Sequence, residues 1–310
     1  MALRWMEKLI LAKIESVYGT DPTPAAGTND ILTRDFQIQP VQGERRDRAL
    51  DRPNLGASPL AVTQVRRTVT FKVELAGSGA AGTAPKYDPL LLACGFDATV
   101  NIGVEVEYDP SSDEGDSLTI YFNVDGRLMK LQGARGAVGF EFNAGDYPYL
   151  TFSFTGLYAE ATDAAQGTPT YTGWQKPLEV NNDNTGTFSI HGYSGVLQSL
   201  VVQPGQQVSY RNLVGQEAVR ITGRSVRATA SIILPTVADL NIEQKITGEA
   251  LAAVQLIHGG AAGAIVQLDA SYAQIVDYSL GENQGDAMAN LELLLTAWAA
   301  GDDELKLTVK

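Results

Sequence analysis

The sequence predicts a mainly β protein built from antiparallel sheets, and three observations carry that reading. Apolar and polar residues alternate with a period of two in several separate runs, the pattern of a strand with one buried and one wet face. The 31 glycines and 13 prolines cut these runs into short pieces, as turns between strands require. Helical periodicity is scarce. With 310 residues, 44% of them hydrophobic, the chain is long for one compact domain and comfortable for two.

The elements follow in order. The first fifteen residues thread Arg4, Glu7, Lys8 and Lys13 between apolar neighbours. A secretion signal needs an uninterrupted apolar centre, so this segment reads as a short amphipathic piece that docks onto something. Within 68–75 the odd positions Val69, Phe71, Val73 and Leu75 are apolar and the even ones polar. Pro89 to Gly95 reads as a short helix with Asp88 as N-cap, Pro89 in the first turn and Gly95 closing it. Ile102, Val104 and Val106 alternate with Gly103, Glu105 and Glu107, and further strands are expected around Ile120–Val124, Val138–Phe142 and Leu150–Phe154. A longer helix is expected over Asp239 to Gly259, ending at Gly259-Gly260. No apolar stretch is long enough to span a bilayer.

Comparison of the halves points to an internal duplication. Residues 63–75 and 222–234 are both strand-like, and each is followed by a helix candidate and a pair of strands. Leu131–Ala134 leads to Gly145-Asp146 and a strand ending Thr155–Tyr158. Its counterpart, Val266–Ala270, leads to Gly285-Asp286 and a strand ending Thr296–Trp298. The polar stretch Ala159 to Thr187 reads as a connection, dividing the chain into 1–165, a linker 166–187, and 188–310.

The net charge of −13 argues against a protein that grips nucleic acid, because phosphate neutralisation needs clustered Lys and Arg. It suits a surface that DNA slides past. Charge is also segregated. Arg45, Arg46, Arg48, Arg52, Arg66 and Arg67 fall between Arg34 and Lys72, whereas residues 247–305 hold many acids and no Lys or Arg. Such segregation on one subunit suits self-assembly, although each charge taken singly is an ordinary solvated side chain.

Catalytic chemistry finds little support. A Ser or Cys nucleophile wants a histidine base. The two histidines are His191, at an expected strand end, and His258, expected to close a helix beside Gly259. No Gly-x-Ser-x-Gly elbow accompanies them. The single cysteine, Cys94, excludes an intrachain disulfide and reads as a small core residue. The loop Asp109–Asp116 clusters oxygens that suit Ca²⁺, but it departs from EF-hand spacing and a hairpin loop is the alternative. Ala76–Gly82 lacks the Lys-Ser/Thr of a phosphate loop and reads as a flexible turn. Glu105 and Glu107 share a strand face, as two-carboxylate glycoside hydrolysis would need, yet two acids on an exposed strand are ordinarily solvated. No enzyme activity, cofactor or metal is expected.

Ser16-Val-Tyr-Gly-Thr-Asp-Pro-Thr-Pro24, a strand at Phe36–Pro40 with a polar loop after it, Ala76-Gly-Ser-Gly79 and Leu90–Phe96 together resemble the tail tube (major tail) proteins of long, flexible-tailed bacteriophages. The motifs cover roughly the first third of the chain, and the rest is similar by pattern. The resemblance implies a tube domain that is a small antiparallel β-sandwich or half-barrel flanked by a helix, with no catalytic residues, and the duplication would place two such domains in tandem. It implies a structural virion protein of the phage tail, made in the bacterial host cytoplasm, whose rings stack into a conduit for double-stranded DNA. Neighbouring subunits would join sheets around each ring and so remove exposed edges. The long loop 42–62 is the expected stacking contact, with Arg45, Arg46, Arg48, Arg52 and Leu55 as candidate inter-ring residues. Implied partners are further copies of the chain and the tape measure, tail terminator and distal tail proteins. DNA would pass through an acid-lined lumen without specific binding, and no membrane is involved. A duplicated subunit would build from three chains the ring that six single-domain subunits otherwise form. Two alternatives stand. One is a tube domain followed by an immunoglobulin-like decoration domain. The other is a carbohydrate-binding or glycosidase β-sandwich, for which Trp5, Trp174 and Trp298 are too scattered to make a platform.

Overall fold

The computed structural model describes residues 3–53, 56–298 and 301–310. The first part of the chain supplies β1 (Lys8–Ile14), β2 (Arg34–Arg46), β3 (Ala61–Glu74), helix α1 (Asp88–Leu92), β4 (Phe96–Asn101) and β5 (Glu105–Pro110). It continues with β6 (Leu118–Val124), β7 (Arg127–Asn143), β8 (Tyr149–Tyr158) and the short β9 (Thr162–Asp163). The second part supplies β10 (Thr187–Ile190), β11 (Leu197–Gln203), β12 (Val208–Leu213), β13 (Gln216–Ile221) and β14 (Arg227–Ile233). Helix α2 (Ile242–Thr247), β15 (Leu251–His258), β16 (Val266–Asn283), β17 (Asp286–Leu295) and β18 (Lys306–Val309) complete it. The expectation of a mainly β protein with large antiparallel sheets holds.

Pairing runs β1-β6-β7-β8-β3-β2 in the first part and β10-β15-β16-β17-β14-β11 in the second. The two sets meet where β11 pairs the end of β7. Eight strands therefore form one continuous sheet in the order β2-β3-β8-β7-β11-β14-β17-β16. β18 pairs β16 on one side and β5 on the other, a second tie between the two parts. The hairpin β12-β13 stands apart from the sheet.

The alternation seen in the sequence sets the faces of this sheet. Val69, Phe71 and Val73 of β3, Leu150, Phe152 and Phe154 of β8, and Val138, Phe140 and Phe142 of β7 are all buried. They join Leu200, Val202, Ala230, Ile232, Leu291 and Leu293 of the later strands in one apolar cluster that runs through both parts. Each phenylalanine withdrawn from water contributes about 2–3 kcal/mol. Ring contacts add to this, as between Phe36 and Phe122 at 4.2 Å centroid distance and Phe71 and Phe154 at 5.9 Å. Removing one ring, for example Phe152→Ala, takes away burial and leaves a cavity, at a cost of about 3–5 kcal/mol.

Several local expectations need correction. The helix expected over Asp239–Gly259 is only α2, capped by the Asn241 side chain, which accepts from the Gln244 amide at 3.0 Å. The rest is strand β15, because Val254, Leu256 and His258 alternate inward with a period of two and pair with β16. Asp88 does not cap α1; Tyr87 holds that position without a side-chain bond, and the Asp88 carboxylate instead accepts from the Tyr108 hydroxyl at 2.8 Å. The run Ile102–Val106 is not one strand. It contains the turn of the β4-β5 hairpin, leaving Ile102 89% exposed. The amphipathic first segment is largely β1, paired with β6. The glycine stretch after β3 is tightly packed rather than loose: a Cβ on Gly77 would lie 2.1 Å from the Gly263 carbonyl oxygen. Glycine is required where two backbones touch so closely.

Candidate functional site

The arm expected to make contacts is an extension of the β2-β3 hairpin beyond the main sheet. Its strands stay paired out to Arg46 and Ala61, and the described residues between them are exposed, apart from half-buried Ser58. Arg45, Arg46, Arg48 and Arg52 all lie on this exposed arm; Leu55 lies outside the described residues. Arg46 pairs with Glu44 at 2.8 Å, but both are more than half solvent-exposed or nearly so, so the pair leaves the basic surface available. Val41, Leu50, Leu60 and Val62 are 46–54% exposed, giving the arm apolar as well as basic surface. At its base the sequence reading fails for Arg67, which is 1% exposed. Its guanidinium donates to the carbonyls of Pro40 (2.9 Å) and Lys130 (2.6 Å), fixing the root of the arm to β7.

The Ser16–Pro24 motif has a structural role. Glu15, just ahead of it, is 7% exposed and accepts four hydrogen bonds. One oxygen takes the Gly133 amide (2.7 Å) and the Thr119 hydroxyl (2.6 Å); the other takes the Gly19 amide and the Ser117 hydroxyl, both at 2.7 Å. Tyr18 accepts from the Val219 amide of β13 at 2.6 Å, and its ring packs on Gly133, where a Cβ would come within 2.7 Å. Asp21 accepts from Tyr121 and from Lys130, the latter at 2.9 Å. Burial tends to raise the Asp21 value, but these hydrogen bonds outweigh it and hold the carboxyl below the ordinary carboxylate range. The motif thus clasps β6, β7 and β13 together.

Ion pairs bind the two parts of the chain. Glu114 bridges Arg135 of β7 and Arg220 of β13, and Arg224 contacts Asp302, Glu304 and the Ser111 carbonyl. Ser112 donates to Asp302 as well. The acidic loop that suggested Ca²⁺ is therefore held by arginines and a hydroxyl, and among the described residues no group of three His, Cys, Asp or Glu gathers to hold a metal. Glu105 and Glu107 do share a face of β5, but Lys310, just after β18, and Lys306 of β18 lie against them at 3.8 and 3.1 Å. Glu114, Arg135 and Arg224 were not legible in the sequence, since their partners are 21 to 106 residues distant.

Both histidine side chains hydrogen-bond to groups of the surrounding fold. His258 ends β15 rather than a helix. It is 2% exposed, with Nδ1 3.0 Å from the Thr185 hydroxyl and Nε2 3.2 Å from the Leu178 carbonyl. His191 Nε2 lies 2.9 Å from the Ala273 carbonyl. Burial lowers both imidazole values, and Cys94, fully buried, is pushed well above the ordinary thiol value. No helix among the described residues is long and apolar enough to cross a membrane.

A continuous antiparallel sheet with a projecting basic arm defines the architecture. Residues 7–293 match the family described as phage tail tube protein, and the chain belongs to that family. Membership makes it a structural component of the bacteriophage tail. No curated protein matches the chain.

Proposed function

We propose that the chain stacks as rings into the tube of a phage tail, through which double-stranded DNA leaves for the host. The observation that carries the finer reading is the strand order, which occurs twice: β1-β6-β7-β8-β3-β2 and β10-β15-β16-β17-β14-β11. A helix follows the third of these six strands in chain order each time, after β3 and after β14. This supports two tube units in one chain, bounded near 1–165 and 188–310, and hence rings of three chains with six pseudo-equivalent sheets. It favours that arrangement over an immunoglobulin-like decoration domain, because β11, β14, β17 and β16 extend the sheet begun by the first part.

The open face of the eight-stranded sheet is the proposed lumen wall. Thr68 and Thr70 of β3, Thr151 and Ser153 of β8, and Thr229 and Ser231 of β14 alternate there with the buried positions. Glu141 on this face is paired with Lys72 at 2.7 Å, and Glu292, Asp277 and Arg227 stand exposed on it. The wall is thus mainly hydroxyl, with few net charges, which narrows the expectation of an acid-lined channel. Such a wall offers DNA phosphates no cation cluster, so the polymer slides without sticking. The arm carrying Arg45, Arg46, Arg48 and Arg52 would reach the next ring, and the tape measure, tail terminator and distal tail proteins would meet the lumen or the tube ends. Negative-stain imaging of the purified chain is expected to show hollow tubes. Isolated monomers under all assembly conditions would overturn the reading.

A further inference from the structure

The continuous sheet ends in two open edges. β2 pairs β3 and no other strand among the described residues, so its outer edge is free. At the opposite end, β15 covers β16 only as far as Gln274, and β17 lies on the other side from Ala273 onward. Among the described residues the outer edge of β16 is therefore unpaired from Ile275 to Asn283. Inside the chain the corresponding edges are joined. β7 is flanked by β6 and β8 as β16 is by β15 and β17, and residues 140–143 of β7 run on to pair β11. β11 in turn lies beside β14 as β2 lies beside β3.

The free edges are matched in character. Phe140, at the internal junction, is fully buried, whereas its counterpart Leu280 is 66% exposed and nearby Val276 is 43% exposed. Glu282 and Asp286 stand near the open end of β16, and Arg34 at the start of β2 is paired with its neighbour Asp35 at 3.5 Å. An open, partly apolar strand edge invites pairing.

We propose that the free edge of β16 takes the β2 edge of a second copy, head to tail, in the register of the internal β7-β11 junction; this rests on the ring reading above. Buried pairs transfer that register. Phe140 faces Leu150 as Leu280 faces Ala289. Ile38 faces Val69, and Val69 faces Phe154, as Val202 faces Ala228 and Ala228 faces Leu293. Since Phe140 pairs Val202, Leu280 pairs Ile38 of the second copy, and Glu282 pairs Phe36 of that copy. Repetition of this contact closes the eight-stranded runs into a ring.

The test is a double variant, Ile38→Cys with Leu280→Cys, assembled into tubes and oxidised. The native Cys94 is buried and does not interfere. Denaturing gels are expected to show covalent dimers and trimers, absent from either single variant. Ile38→Cys with Glu282→Cys places the thiols diagonally, roughly 7–8 Å apart, and is expected to cross-link at least tenfold less. Tubes that cross-link equally well through 38/282, or not at all through 38/280, would overturn the register. For the unmodified protein, amides in 35–39 and 276–283 are expected to exchange at least a hundredfold more slowly in tubes than in unassembled chains. Tubes without that protection would overturn the seam while leaving the ring reading intact, whereas absence of any ring or tube would overturn both.

Discussion

Replacing Glu15 by alanine tests whether the N-terminal clasp holds the fold together. The carboxylate is 7% exposed and satisfies two backbone amides, Gly19 and Gly133, and two hydroxyls, Ser117 and Thr119. Alanine leaves all four donors without that acceptor. Each buried donor left unmet costs about 1–3 kcal/mol. The hydroxyls can rotate toward other acceptors, but the two amides cannot, so a loss of about 3–5 kcal/mol is expected. At about 2 °C per kcal/mol for a chain of this size, the melting midpoint of unassembled protein, followed by circular dichroism, should fall by about 6–10 °C. Glu15→Gln should fall between, since its amide keeps one acceptor oxygen but turns an NH₂ toward donors. Glu7→Ala, which breaks an exposed pair with Arg4, serves as control and should leave the melt unchanged. A Glu15→Ala midpoint within 2 °C of the parent would refute the reasoning.

Other predictions follow from the same structure. Changing Arg45, Arg46, Arg48 and Arg52 together to Glu should leave the fold and single rings intact but shorten tubes severely in electron micrographs; tubes of normal length would remove the arm from the stacking contact. His258 is held neutral by burial, so the unfolded chain binds a proton near pH 6.5 that the folded chain resists. The stability this contributes is present above pH 6.5 and is lost as pH falls, by at most about 1.4 kcal/mol per pH unit. Thermal melts from pH 7.5 to 5.5 should therefore be steeper in the parent than in His258→Gln, and equal slopes would contradict this. Introducing Lys at Thr70, Ser153 and Thr229 should slow DNA ejection from assembled virions, and an unchanged rate would argue that this face does not line the channel.

What the sequence revealed and what it hid follow from the range of the interactions. Runs such as Val69-Thr70-Phe71-Lys72-Val73 declare their faces locally, because burial of one face needs only a period of two. The segment Leu251–His258 misled because Leu, Ala and Gln are good helix formers, and its strand identity depends on pairing with β16. Ile102–Val106 kept the alternation while the chain turned, since Gly103 takes φ +75 and reverses direction inside an apparently regular pattern. The arm was legible as a long basic stretch, although Arg67 shows that charge alone does not say which arginine is exposed. The clasp at Glu15 and the bridge at Glu114 were hidden, because nothing local marks an acid whose partners lie on distant strands. The repeated order of elements was partly visible, through the two Gly-Asp turns at 145–146 and 285–286.

The most direct measurement is the number of chains in one ring of the assembled tube, counted from an electron cryomicroscopy map. Three 33.1-kDa chains, arranged with six pseudo-equivalent sheets around one lumen, are the predicted result. A ring of six complete chains, each giving one sheet to the lumen, would contradict the duplicated-subunit account.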